Sequence, residues 1–244
     1  LEDRLEMLKL LITLAILLTV TLTTTAQAPL PETITITRAD ITLAADFHPA
    51  DSDAPVILLL HMLNSNRAAW DPLIPDLRAA GYALLNIDMR GHGDSGGSRD
   101  WDAAIADLVD GWVGWLAEND HLGEGGLAII GGSIGANVAL ISCADVDRCL
   151  GAVALSPGLD YRGVKPESAL VDGLAERAAL LVAAQADSSS STAIRQMFLN
   201  AKGDVTARMF RGRAHGTRLF DSNYGGVSRL ILAWLAEIFA TDEG

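Results

Sequence analysis

The pentapeptide Gly131-Gly132-Ser133-Ile134-Gly135 carries the strongest chemical signal in the chain. It follows the apolar run LAII and precedes ANVALISCA, so the order reads strand, turn, helix. A serine on such a turn stands on strained backbone. Its small neighbours let strand and helix approach, and helix amides lie beside its hydroxyl. That setting suits a nucleophile for acyl transfer; a helix N-cap is the plainer role for the same residue. A second G-x-S-x-G, Gly93-Asp94-Ser95-Gly96-Gly97, lies in the polar stretch RGHGDSGGSRD, with no helix starting at its serine. Ser133 is therefore the candidate and Ser95 the decoy.

A serine hydroxyl needs a neighbouring base at neutral pH. Five histidines are available. His48 ends an opening hairpin, His92 lies in the glycine-rich turn, and His121 falls in a loop that closes a helix. His61, directly after VILLL, and His215, in RGRAHG after the last strand, stand just past strand ends. The base in turn needs an acceptor to fix its tautomer. Asp187, in LLVAAQADSSSS, and Asp160, in LSPGLDYRG, both follow strands. Asp187 is preferred because Ser, Asp and His then run in a chain order known for such triads. A turn or N-cap role is the plainer alternative for either aspartate.

The elements that must position these groups come from the hydrophobic pattern. ETITIT at 32–37 and ITLAADF at 41–47 alternate around Arg38-Ala39-Asp40, which reads as an antiparallel hairpin. Then short, mostly apolar runs follow at 56–60, 82–87, 127–130, 152–155, 179–183 and 205–210, as expected for strands buried on both faces of a parallel sheet. Helical segments fall between them at about 67–80, 101–118, 134–144, 167–177, 191–202 and 222–240. The stripe Trp101, Ile105, Leu108, Trp112, Trp115 is a helix face packed on the sheet. The alternation predicts an α/β sheet with right-handed crossovers, folded as one domain over 29–244. SSSS at 188–191 is read as part of a strand-to-helix loop. In an open α/β sheet, reactive groups collect beyond the carboxyl ends of the strands. Ser133, Asp187 and His215 all fall there.

Residues 1–28 stand apart. Met7-Leu8-Lys9, the run LLITLAILLTVTL and the small residues Ala26 and Ala28 read as a secretory signal cleaved after Ala28. An uncleaved N-terminal anchor helix is the alternative, although Leu10 to Val20 is short for a span of about 20 residues. The expected location is periplasmic or extracellular, with no stable membrane association after cleavage. Export bears on Cys143 and Cys149, which an oxidising compartment would let pair; two buried thiols are the other reading. The net charge of −13 disfavours nucleic acid and polyanionic substrates. No His or carboxylate pair has metal-ligand spacing on a recognisable helix, so neither metal nor other cofactor is expected. The oligomeric state is not legible.

Taken together, LLLHMLNSNRAAW at 58–70, NIDMRGHGDSGG at 86–97, GGSIGA at 131–136, LSPGLDYRG at 155–163, AAQAD at 183–187 and AHG at 214–216 resemble the α/β-hydrolase fold. The likeness is greatest to small serine esterases related to dienelactone hydrolases. It implies a mostly parallel sheet with helices on both faces, a minimal lid, and Ser133, Asp187 and His215 as nucleophile, acid and base. It implies oxyanion donors at the amides of Ile134 and Leu63, with Met62 as the alternative to Leu63 because His61-Met62 stands where the family often has His-Gly. Leu63, Ile134, Leu159 and Tyr161 are the expected walls, Met62 a further substrate contact, and His61 a structural residue beneath the oxyanion loop. Dienelactone hydrolases use a cysteine nucleophile, so the serine here argues against that reaction. The implied activity is cleavage of small esters of short to medium acyl chain. Thioester or amide cleavage on the same groups, and a non-catalytic exported binding protein, are the alternatives.

Overall fold

Alternation sets the first two strands, and continuous apolar runs set the rest. A computed structural model describes residues 30–123, 125–174 and 177–240; the signal segment expected at 1–28 lies outside the described residues. β1 (Glu32–Arg38) and β2 (Ile41–His48) pair antiparallel, with Arg38 opposite Ile41. Ala39 and Asp40 turn the chain with φ of 46° and 63°, the two left-handed positions that suit the twist of a two-residue hairpin.

β3 (Val56–Leu60), β4 (Ala83–Asp88), β5 (Leu127–Gly132), β6 (Cys149–Leu155), β7 (Ala178–Ala184) and β8 (Val205–Phe210) complete a sheet of order β1-β2-β4-β3-β5-β6-β7-β8. β2 meets β4 antiparallel, and every later pairing is parallel. Side chains alternate between two cores. Val56, Leu58 and Leu60 enter one; Ile57 and Leu59 enter the other.

The first core is covered by α2 (Trp101–Ala106), a π-helical stretch Asp107–Trp112, α3 (Val113–Glu118), α4 (Ile134–Asp145) and α5 (Ser188–Asn200). The second is covered by Trp70, by α1 (Ile74–Ala79) and by the long α6 (Leu219–Ala240). α4 is apolar nearly all round, as expected of a helix enclosed between sheet and neighbours.

Three expectations change. The helix expected over 67–80 is two pieces, a 3₁₀ turn at Arg67–Trp70 and α1, because Pro72 and Pro75 have no N–H to continue the ladder. The segment expected at 167–177 reduces to a short helix containing a π-turn at Ala169–Gly173. Ser188–Ser191 is the first turn of α5 rather than loop. Cys143 and Cys149 are disulfide-bonded, tying the end of α4 to the first residue of β6.

Candidate active site

Ser133 sits between β5 and α4 with φ 54° and ψ −119°. The glycines around it are demanded by space. A Cβ on Gly131 would stand 2.0 Å from the Gly135 carbonyl oxygen, and one on Gly135 would stand 2.5 Å from the carbonyl oxygen of His61. The spacing G-x-S-x-G thus lets α4 pack directly against β5 and the end of β3, which holds the serine on its sharp turn.

His215 follows β8, and Asp187 follows β7. His215 Nε2 lies 2.8 Å from Ser133 Oγ, and its Nδ1 lies 2.7 Å from Asp187 Oδ2. Asp187 is buried, and His215 and Ser133 are half-buried. With Nδ1–H donated to the carboxylate, Nε2 is the acceptor for the serine hydroxyl. Burial pushes the Asp187 carboxyl upward, but His215 and the hydroxyls of Ser156 and Ser190 outweigh it and hold it below the ordinary carboxylate range.

Several supports are invisible to a reading of single motifs. Ser156 has φ 55° at the end of β6, donates to Asp187 and accepts the Gly216 amide at 2.9 Å. Tyr161 places its hydroxyl 3.2 Å from Ser190 Oγ, with its ring edge-on to His215 at 6.3 Å. The loop carrying Tyr161 is clamped to α4 by Asn137. The Asn137 side-chain amide donates to the carbonyls of Gly158 and Val164, both at 2.8 Å, and its oxygen accepts the Gly158 amide at 3.0 Å. The signals that could have found these residues were the serine ending an apolar strand and the lone asparagine within an apolar helix.

The loop after β3 packs beside Ser133, with Met62 next to Gly132 and His61 next to Gly135. His61 is fully buried. Its Nδ1–H donates to the Met62 carbonyl at 2.7 Å, and its Nε2 accepts the Met89 amide at 3.0 Å. Burial chiefly lowers its pKa to about 4, so it is a neutral brace. Met62 lays its side chain over Gly132 and Gly216; a Cβ on Gly216 would meet its sulfur at 2.3 Å. Neither the Leu63 nor the Ile134 amide has an acceptor among the described residues.

The remaining candidates separate cleanly. Ser95 is buried, donating to the Asp88 carbonyl at 2.6 Å and accepting the Ala44 amide at 2.8 Å. Asp160 is exposed and holds a turn through the Gly163 amide at 2.7 Å. Leu63 and Leu159 are partly exposed and pack against the first core. Ile134 is corrected as a wall, because its side chain is buried in that core. The Tyr161 hydroxyl is engaged with Ser190, which leaves the ring as the part of this candidate that a substrate could meet. Among the described residues no group of three or more His, Cys, Asp and Glu is placed to hold a metal ion. No helix among them is long and apolar enough to cross a membrane.

A protein-family profile described as alpha/beta hydrolase fold matches residues 55–216, from just before β3 to just past His215. The chain belongs to the alpha/beta hydrolase fold family. This hydrolase-fold chain superimposes on an esterase from Pyrococcus furiosus with a TM-score of 0.74, 20% identity, and coverage of 85% of this chain and 90% of that one. It is also similar to a dienelactone hydrolase from Anabaena variabilis, with a TM-score of 0.71, 17% identity, and coverage of 86% and 99%. At such identities these likenesses describe the fold. Among curated relatives it is 36% identical over 118 residues to epoxide hydrolase B of Mycobacterium tuberculosis, covering 48% of this chain. The match spans only 32% of that relative's length.

Proposed function

We propose that this hydrolase-fold chain is a serine hydrolase that cleaves carboxylic esters of short to medium acyl chain. The observation that carries the reading is the line Ser133 Oγ, His215 Nε2, His215 Nδ1, Asp187 Oδ2, with contacts of 2.8 and 2.7 Å. His215 takes the Ser133 proton as the hydroxyl oxygen attacks the ester carbonyl. The amides of Leu63 and Ile134 hold the oxyanion, each worth about 3–4 kcal/mol of barrier. His215 returns the proton to the leaving alcohol, and water then hydrolyses the acyl-enzyme by the same route. Asp187 fixes the imidazole tautomer and stabilises its positive form.

Esters are favoured over epoxides by the nucleophile itself. A serine oxygen that opened an epoxide would leave an ether on the enzyme, with no carbonyl for water to attack. An acyl-serine carries that carbonyl, so it turns over. The short segment between β6 and β7 supports an open site and small substrates. The Cys143–Cys149 disulfide supports export to an oxidising compartment, as the signal-like segment implies.

The test is a panel of p-nitrophenyl esters of graded acyl length, with styrene oxide as an epoxide arm. The expected result is fastest cleavage of the short and medium esters, no epoxide opening, and a fall of about 10⁴–10⁶-fold in kcat for Ser133→Ala. Ester cleavage retained by Ser133→Ala, or faster attack on long-chain triglyceride emulsions, would overturn the reading.

A further inference from the structure

Asp187 is not left with His215 alone. Its Oδ2 takes Nδ1 of His215 at 2.7 Å, and its Oδ1 accepts Ser189 Oγ at 3.3 Å. The hydroxyls of Ser156 and Ser190 also donate to the carboxylate. α5 starts on Asp187, whose carbonyl accepts the Ser191 amide at 2.8 Å. Ser190 lies in that same turn and is fully buried. A serine hydroxyl has one proton to give. With that proton on Asp187, the Ser190 oxygen remains as an acceptor.

That oxygen meets Tyr161. Tyr161 Oη lies 3.2 Å from Ser190 Oγ and 3.4 Å from the Ser156 carbonyl oxygen. Because Ser190 donates to Asp187, Tyr161 is the donor in the shorter contact. The ring behind the hydroxyl is fixed. A Cβ on Gly158 would stand 2.5 Å from Tyr161 Cζ, so only glycine leaves room for the ring there. Tyr161 and Val164 exchange backbone bonds of 3.1 and 3.0 Å. Asn137 of α4 grips the carbonyls of Gly158 and Val164. The helix that follows Ser133 therefore holds the tyrosine against the turn that follows Asp187. A hydrophobic wall needs none of this. The ring, edge-on to His215 at 6.3 Å, would serve without its oxygen.

We propose that Tyr161 is a positioning residue of the hydrolase, acting through Ser190 on Asp187 and so on the imidazole of His215. This rests on the serine-hydrolase reading of the site. The Tyr161 proton polarises the Ser190 hydroxyl, and the Ser190 bond to Asp187 strengthens, since hydrogen bonds in a chain reinforce one another. The carboxylate is thereby held in one rotation, with Oδ2 on Nδ1 of His215. No proton leaves Tyr161 during turnover. Its oxygen is bonded to Ser190 and Ser156, not to the reacting groups.

The test is a double-mutant cycle of Tyr161→Phe and Ser190→Ala on the full disulfide-bonded protein, with p-nitrophenyl butyrate as substrate and circular dichroism to confirm folding. Tyr161→Phe keeps the ring and removes only the oxygen. It should lower kcat by about 5–20-fold with KM within about twofold of the parent, less than the roughly 100-fold that a 1 Å misplacement costs. Ser190→Ala should lower kcat at least as much. The double variant should be no worse than Ser190→Ala, because the tyrosine acts only through that serine. If Ser190→Ala does not fold, the kcat of Tyr161→Phe decides alone. A Tyr161→Phe kcat equal to the parent's, a loss carried by KM alone, or losses that multiply in the double variant overturn the proposal and leave the hydrolase reading standing. A parent protein that does not turn the ester over would overturn both.

Discussion

The Ser156 hydroxyl oxygen accepts the Gly216 amide at 2.9 Å while its proton is donated to Asp187. One buried serine thus joins the loop that carries the candidate base to the carboxylate that orients it. Ser156→Ala removes both ties without removing a reacting group. The expected result is a drop in kcat of about 10–100-fold with little change in KM, since small misplacements of a base cost that much. Steady-state kinetics, with circular dichroism to confirm folding, checks it.

Arg67 binds three carboxylates at once: Asp46 at 2.7 Å, Asp94 at 2.8 Å, and Asp88, whose side chain is fully buried. These contacts raise its pKa against the opposing effect of burial and anchor the far end of the loop that begins at His61. Exposed Asp94 adds little. Arg67→Met strands Asp88 without a cation, and the loss should be about 3–5 kcal/mol by urea denaturation. A change under 1 kcal/mol would show that the cluster does not hold the loop.

Acid stability should follow the buried histidines. The unfolded chain takes up a proton at His61 near pH 6.5, whereas burial delays uptake in the folded state to about 4. Below 6.5 the unfolded state binds more protons, so stability falls as pH drops from about 6.5 to about 4, by about 3 kcal/mol from this residue. Burial shifts His48 and His92 in the same direction. His61→Gln should flatten the slope by one residue's share when denaturation midpoints are measured at pH 7 and pH 4.5.

The Cys143–Cys149 bond closes a short loop, with a sequence separation of six. Chain-entropy reasoning gives about 2–3 kcal/mol for so small a ring. Thermal unfolding with and without reductant should show a lower Tm for the reduced protein, with ester cleavage retained at moderate temperature because neither sulfur touches the site.

The elements that a local pattern defines were legible. VILLL and VTARMF matched β3 and β8 residue for residue, because each is an extended run bounded by polar or glycine-rich chain. The candidates Ser133, Asp187 and His215 each lie one to five residues past the end of such a run, and the structure brings them to 2.8 and 2.7 Å of one another. The missed features depend on distant contacts. β6 begins at Cys149 rather than at Ala152, since Gly151 is no strand breaker here: a Cβ at that position would meet Trp234 of α6 at 2.7 Å. Ser188–Ser191 joined α5 because Ser190 and Ser191 are buried, although serine alone reads as loop. The bonds of Ser156 to Gly216, of Ser190 to Tyr161 and of Asn137 to Gly158 cross about 20 to 60 residues of sequence, which no spacing rule encodes.

The proposed reaction requires the Ser133 oxygen to be a nucleophile activated by His215. The direct measurement is labelling by an organophosphonate probe, read by intact mass and peptide mapping. One adduct is expected, on Ser133, formed at least about 100-fold more slowly in His215→Gln. An adduct on Ser95, or labelling that persists unchanged in Ser133→Ala, would contradict it.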